Sequence, residues 1–299
     1  MKIALITDST SYLTKEEVKD NNIIVVPIPV IVGDKEFKEG IDITADQLFR
    51  MQDAGAAFPK TSQPSMGEMI SLFNRLHDEG YDAIITITLA GTISGFNQTL
   101  MNIARTNPEY NLYPYDSKIT IRLMGYLVLA AAKMIKNGLS ADEIITRLDK
   151  IRDSIDELFI VDDLNNLSRG GRLSNAGAFI GTMLHIKPLL TFDDETDKIV
   201  AFDKVRSMKR AVKKVESLTL ERVNKLPFKK DLRFLVVHSN DATQAEEIKN
   251  WVNENFPENP VEVDEFGPVI GTHLGEKSIG ITWMKDILSL IHISEPTRH

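Results

Sequence analysis

Cysteine is absent from this chain of 299 residues. A protein without thiols has no disulfide bonds, no zinc–thiolate centre and no cysteine nucleophile. The six histidines include no pair at the i, i+4 spacing of a helical metal motif, so no metal site is expected. The sequence therefore predicts a protein that works without a metal or a cofactor.

Nucleotide-binding signatures are also missing. The chain has no Gly-x-x-x-x-Gly-Lys-Ser/Thr loop, and no Gly-x-Gly-x-x-Gly fingerprint follows Asp8 at the end of the first apolar run. The formal net charge is −8 and the isoelectric point is near 5.4, whereas nucleic-acid affinity depends on neutralising phosphates. Neither a bound nucleotide nor a nucleic-acid partner is expected.

Long hydrophobic runs are lacking as well. The most apolar stretch, residues 127–135, is interrupted by Lys133 and followed by Lys136, so it is too short to span a bilayer. Residues 2–7 run directly into Asp8 and lack the features of a secretory signal. We expect a cytoplasmic protein whose contact with membranes is at most transient.

Short apolar runs alternate with helical patterns along the chain, which is typical of βα units and a parallel sheet. The length predicts about two domains. We expect an α/β fold, with an N-terminal α/β domain over residues 1–156 that has a mainly parallel sheet. A C-terminal α/β domain with a mixed sheet is expected over residues 157–284. Residues 285–299 look like translated vector sequence, and we interpret them as a non-native tail.

Individual elements follow from the apolar runs and from helix-capping patterns. In the first half, strands are predicted at residues 2–7, 23–32, 83–88 and 112–115, and capping boxes at Thr44, Ser65 and Ser140. In the second half, strands are predicted at 158–161, 232–237 and 261–265, a hairpin at 189–192 and 198–202, and loops at 168–172 and 267–275.

Hydroxyl-bearing turns carry the clearest functional signal. Thr61 and Ser94 lie in two turns that each precede a predicted helix, where free N–H groups and the helix dipole favour an anion. His273 lies in a glycine-rich segment, where the backbone can approach a ligand closely. With a pKa of about 6.5, this imidazole is expected to bind a carboxylate more strongly as the pH falls.

Other interpretations of these residues stay open. Ser94 can be an ordinary helix N-cap, or the nucleophile of a serine hydrolase that cleaves acyl esters with His273 as the base. The hydrolase elbow Gly-x-Ser-x-Gly is not matched, since residues 91–95 read Gly-Thr-Ile-Ser-Gly. Between residues 204 and 230, ten Lys or Arg residues face two Glu residues, which is either a solvated surface or a docking surface for an acidic partner.

Taken in order along the chain, these segments resemble the DegV family of bacterial fatty-acid-binding proteins. The motifs that carry the resemblance are Thr7-Asp8-Ser9-Thr10, Thr61-Ser62-Gln63-Pro64-Ser65, Ile93-Ser94-Gly95, Asp116-Ser117-Lys118, Arg169-Gly170-Gly171-Arg172-Leu173-Ser174, Ile186-Lys187-Pro188 and Gly271-Thr272-His273-Leu274-Gly275. The resemblance implies two α/β domains with one long-chain fatty acid buried between or within them.

The resemblance also implies a function and a set of site residues. The protein would not be an enzyme; it would present the fatty-acid carboxylate to a separate ATP-dependent fatty acid kinase subunit that forms the acyl phosphate. Thr61, Ser94 and His273 would bind the carboxylate, and Arg206 would face the kinase or its phosphate. Further contacts with the head group or the partner are expected from Ser62, Gly95, Arg172 and Thr272.

Overall fold

The computed structural model describes residues 1–179 and 186–287. The predicted non-native tail falls mostly on residues 288–299, outside the described residues. None of the helices within the described ranges is both long and apolar enough to cross a membrane.

The first half of the chain alternates strands and helices. Its strands are β1 (Ile3–Asp8), β2 (Ile23–Val26), β3 (Pro29–Val32), β4 (Lys35–Lys38), β5 (Lys60–Thr61), β6 (Ala83–Thr88) and β7 (Leu112–Asp116). Its helices are α1 (Lys15–Asp20), α2 (Ala45–Asp53), α3 (Met66–Asp78), α4 (Phe96–Thr106), α5 (Ile121–Lys136) and α6 (Ala141–Arg152). The capping boxes at Thr44, Ser65 and Ser140 are confirmed, because each hydroxyl accepts from the backbone N–H three residues later.

Two sheets form in this half. Strands β2-β1-β6-β7 make a parallel sheet, as predicted, and every residue of β1 and β6 is buried. Strands β4-β3-β5 make a small antiparallel sheet. The single strand predicted at 23–32 is therefore wrong: it is two strands in different sheets. Pro27 and Pro29 lack the backbone N–H that a continuous ladder would need.

The second half forms a mixed sheet, as predicted, and this sheet has six strands. Its strands are β8 (Asp156–Ile160), β9 (Lys187–Phe192), β10 (Ile199–Val205), β11 (Leu232–His238), β12 (Val261–Glu265) and β13 (Ile279–Lys285), in the order β10-β9-β8-β13-β11-β12. The helices are α7 (Asn165–Gly170), α8 (Met208–Asn224), α9 (Ala242–Asn255) and α10 (Pro268–Leu274). The β9–β10 hairpin is antiparallel, and β11 and β12 are parallel.

Both predicted glycine loops are wrong. Residues 168–172 lie at the end of α7, where Gly171 adopts a left-handed φ of 70° and caps the helix. Residues 267–275 contain α10, whose first residue is Pro268. Proline suits the first turn of a helix because its N–H would be unpaired there in any case.

Alternating residues of the six-stranded sheet point to its two faces. The helix-covered face (Leu158, Ile160, Phe234, Val236, Trp283) packs against α8 and α9 in one hydrophobic cluster. On the opposite face, Phe159 and Val237 belong to a second cluster that also includes β1 and β6 of the parallel sheet. The two α/β domains are thus joined through one hydrophobic core.

Candidate functional site

A cavity of about 350 Å³ lies between the parallel sheet and the second face of the six-stranded sheet. This size is at the lower end of the range of small-molecule sites, roughly 300–1,000 Å³. Most of its wall is apolar, and both halves of the chain contribute, with Ile28, Leu89, Ile121, Phe159, Val237 and Ile270 among the lining residues. Because Phe159 and Val237 line it, we call this second sheet face the cavity face. The shape suits a molecule with an apolar body.

A polar group interrupts this wall at Thr61 and His273. Thr61 ends β5 and His273 lies near the end of α10, and Thr61 Oγ1 and His273 Nε2 are hydrogen-bonded at 2.8 Å. His273 Nδ1 is buried without a partner among the described residues. An N–H at Nδ1 would therefore be unsatisfied, so the proton belongs on Nε2. Thr61 Oγ1 then accepts from the imidazole, and its own proton is free for a ligand.

The surroundings of His273 change its pKa, and with it the pH dependence of carboxylate binding that the sequence predicted. Burial, together with the positive charge of Arg172, lowers the pKa of His273 to about 4. The imidazole is therefore neutral from about pH 5.5 to 8, and the pKa of about 6.5 expected from the sequence is wrong for the free protein. The glycine-rich segment forms a helix, in which His273 is half-buried.

Ser94 lines the cavity beside Gly95 and Ser62. Its expected role as the helix N-cap is off by one position, since the N-cap of α4 is Gly95. Ser94 Oγ instead accepts from the Phe96 N–H at 3.2 Å, which leaves its hydroxyl proton available. Thr61 and Ser94 thus both offer a hydroxyl donor to the same cavity.

Arg172 is the one Lys or Arg residue among the described residues that line the cavity. Its Nε donates to the Ile93 carbonyl at 3.1 Å, and Nη1 donates to the Gly170 carbonyl. Within the described ranges no carboxylate forms an ion pair with it, and burial lowers its pKa. A half-buried guanidinium without a counter-ion favours an anionic ligand.

Two predicted contacts lie elsewhere. Thr272 is buried inside α10, where its hydroxyl donates to the Pro268 carbonyl at 2.8 Å, and it does not line the cavity. Arg206 is exposed between β10 and α8, also away from the cavity wall. Of the predicted residues, Thr61, Ser62, Ser94, Gly95, Arg172 and His273 come together at the cavity.

The geometry gives no support to a serine hydrolase. His273 Nε2 is bonded to Thr61 and not to Ser94. No carboxylate orients Nδ1, which has no partner among the described residues. A catalytic triad needs both of these contacts.

The sequence did not reveal how α10 is anchored. The Gly267 N–H donates to Tyr12 Oη at 2.7 Å, and the Val269 N–H donates to Glu39 Oε1 at 2.9 Å. Glu39 also accepts from Ser9 Oγ at 2.6 Å, and burial raises its pKa to about 7. These bonds tie the helix of His273 to the N-terminal domain. In the described parts of the chain, no cluster of His, Asp and Glu residues is arranged to hold a metal ion.

Known proteins resemble this chain over nearly its whole length. A family model described as uncharacterised proteins of the DegV family matches residues 2–286. A DegV domain-containing protein of Listeria monocytogenes is 41% identical over 282 residues, which cover 94% of this chain and 98% of that protein.

Two solved structures share the fold over nearly their whole length. The crystal structure of Bacillus subtilis DegV, described as a fatty acid binding protein, is 36% identical with a TM-score of 0.84, covering 95% of this chain and 99% of that one. A fatty acid binding DegV family protein of Streptococcus agalactiae is 34% identical with a TM-score of 0.87, at the same coverage. On the strength of the family match and these relatives, the chain belongs to the DegV family.

Proposed function

We propose that this protein binds a single long-chain fatty acid in the cavity and presents its carboxylate to a separate ATP-dependent kinase subunit, which forms the acyl phosphate. The proposal includes no catalytic step by the protein itself. We also propose that the protein is cytoplasmic and that the boundary between its two domains lies between residues 156 and 157. Relatives described as fatty acid binding proteins, at 36% and 34% identity, support the lipid part.

The observation that carries the proposal is the Thr61–His273 hydrogen bond at the wall of an apolar cavity. The hydroxyl protons of Thr61 and Ser94 are free, and Arg172 adds a positive charge without a carboxylate partner among the described residues. These groups suit a carboxylate. Burial of a long acyl chain contributes roughly 0.8 kcal/mol per methylene, on the order of 10 kcal/mol before the costs of binding. The tail thus supplies affinity, and the polar groups fix the position of the carboxylate.

Removing the two hydroxyls tests the binding part. We expect the double variant Thr61→Ala, Ser94→Ala to lose about 2–4 kcal/mol of palmitate or oleate affinity, because each hydroxyl donates to a charged group. Titration calorimetry against the wild type measures the difference. The matched control is Ser71→Ala, Thr106→Ala, which removes two exposed helical hydroxyls and should leave affinity unchanged. Equal affinity of both double variants would remove Thr61 and Ser94 from the site.

The kinase part is supported by an exposed basic cluster (Arg206, Lys209, Arg210). Within the described ranges none of these three residues forms an ion pair with a carboxylate. The neighbouring cations of α8 are neutralised, since Lys213 pairs with Glu216 at 2.7 Å and Lys225 pairs with Glu221 at 2.7 Å. Positive charge in an acidic protein is therefore concentrated where α8 begins, which suits an acidic partner or a phosphate.

Arg206→Ala tests the docking role. The variant should keep its bound lipid but support acyl-phosphate formation about tenfold less well when mixed with a cognate kinase subunit, since a removed surface charge slows association. Lys225→Ala at the other end of α8 is the control, and it should behave like the wild type. Loss of lipid from the Arg206→Ala protein would show instead that Arg206 contributes to lipid binding.

A further inference from the structure

One acidic side chain on the cavity wall has no part in the carboxylate site. Glu157 lies on β8, it is 7% exposed, and it lines the cavity. It shares the cavity face with Phe159, two residues further along the strand. A carboxyl group in an apolar wall costs free energy unless its oxygens are hydrogen-bonded. The partners of Glu157 therefore decide what this position can bind.

Among the described residues, only one of the two carboxyl oxygens of Glu157 has hydrogen-bond partners. Oε1 accepts from the Phe192 N–H at 2.7 Å and from Thr191 Oγ1 at 3.0 Å. Oε2 has no hydrogen-bond partner among the described residues. Burial raises the pKa of this carboxyl to about 8, so the group is protonated at neutral pH. Because Oε1 accepts from the Phe192 N–H, it is the carbonyl-like oxygen, and the proton belongs on Oε2.

A threonine adds a second oxygen at the same place. Thr282 of β13 is the register partner of Glu157 and also lines the cavity. Opposite residues of an antiparallel pair share a face, with Cβ atoms roughly 5 Å apart. The Thr282 hydroxyl donates to the Leu235 carbonyl at 3.2 Å, so its oxygen can still accept a hydrogen bond. The Glu157–Thr282 pair thus offers one donor and one acceptor.

We propose that the Glu157–Thr282 pair is a second polar subsite that recognises a hydroxyl group on the acyl chain, which makes a hydroxylated long-chain fatty acid the preferred ligand. This inference rests on the proposed function, because it requires the acyl chain to lie in the cavity. A hydroxyl both donates and accepts, so it matches the two groups of the pair. A plain saturated chain offers the Oε2–H of Glu157 no hydrogen-bond partner.

Competition between plain and hydroxylated acids tests the subsite. The ligands are stearic acid and a series of monohydroxystearic acids whose hydroxyl moves along the chain. The wild type should bind one positional isomer about tenfold more tightly than stearic acid, because that isomer pairs the buried donor. Glu157→Leu should abolish or reverse this preference. Glu157→Gln should retain most of it, since the amide supplies a donor and an acceptor in the same places.

Thr282→Val provides a second variant in case Glu157→Leu does not fold. It removes the acceptor oxygen with little change of shape, and the preference should fall about threefold. If the wild type binds no isomer more tightly than stearic acid, the proposal is overturned. Water from the neighbouring surface depression of about 210 Å³, which Glu157 also borders, would then satisfy Oε2. A preference that survives unchanged in every variant also overturns it. Failure of all the acids to bind would defeat the proposed function itself, a result distinct from binding without discrimination.

Discussion

The two faces of the six-stranded sheet are made from alternating residues of the same strands, yet they are filled differently. On the helix-covered face, the ring of Phe234 stacks on Phe256 with centroids 4.8 Å apart and lies 6.2 Å from Trp283. On the cavity face, the same strand β13 that carries Trp283 presents Gly280 and Thr282, which are small. Space for a ligand thus arises because small side chains occupy these two alternate positions along the strand, on the cavity face. Secondary structure alone would not reveal it.

Substitutions at Val236 and Val237 test the difference between the two sheet faces, and they should have the largest effects. The two valines are adjacent on β11, both are fully buried, and they point to opposite faces. Val237→Phe should fill the cavity and displace three or four methylenes of the ligand, lowering fatty-acid affinity by about 3 kcal/mol with little loss of stability.

Val236→Phe is its matched control. The added ring overpacks the helix-covered face, so the free energy of unfolding should fall by about 1–3 kcal/mol while the folded fraction still binds lipid. Urea denaturation and lipid titration of both variants separate the two effects. If both variants lose stability equally and neither loses affinity, the two faces do not differ as described.

Gly170→Ala should have a smaller effect, confined to the carboxylate site. A Cβ on Gly170 would lie 2.5 Å from His273 Nδ1, so the imidazole must shift and its hydrogen bond to Thr61 is disturbed. We expect a loss of about 1–2 kcal/mol in fatty-acid affinity. The control is Gly67→Ala in α3, where an added Cβ meets nothing within 4 Å. Unchanged affinity in the Gly170 variant would mean that the imidazole position does not matter.

The pH dependence of binding should show the smallest effect. With the pKa of His273 lowered to about 4, affinity should change by less than about 0.5 kcal/mol between pH 6.5 and 8. A bound carboxylate favours the protonated ring and raises its pKa, so affinity should increase only as the pH falls below about 6. The unfolded chain protonates this ring at about pH 6.5, so the same lowered pKa removes folding stability as the pH falls from there towards 4.

His273→Gln separates this contribution from the titration of the fatty acid itself. The variant cannot be protonated, so the increase in affinity at low pH should disappear from its titration curves. A steep increase between pH 8 and 6.5 in the wild type, absent from His273→Gln, would show that the ring keeps an ordinary pKa.

Much of the fold could be predicted because buried parallel strands are continuous apolar runs. Residues 83–88 are an example, and they form β6. The small antiparallel sheet was missed because β4 is a short and largely exposed strand and β5 has only two residues. Pro27 and Pro29 were a local signal for the break between β2 and β3, since proline cannot continue a ladder.

Thr61 and Ser94 could be found because the turn chemistry that marks them is local in sequence. The surroundings of His273 could not, because they depend on distant contacts. Gly271 suggested a loop, yet its Cα lies against Phe49 of α2, where a Cβ would be 3.1 Å from the Phe49 ring. Glu157 was missed although an acid within a buried strand is unusual. Its significance depends on Thr282, more than a hundred residues away.

Native mass spectrometry of the protein as purified shows whether it carries a bound fatty acid. We expect a population heavier than the bare polypeptide by the mass of a single long-chain fatty acid, and organic extraction should release it as the free acid. The Val237→Phe protein should lack this population, while Val236→Phe should retain it. A wild-type protein that carries no acyl lipid, and takes up neither added palmitate nor added oleate, would contradict the account.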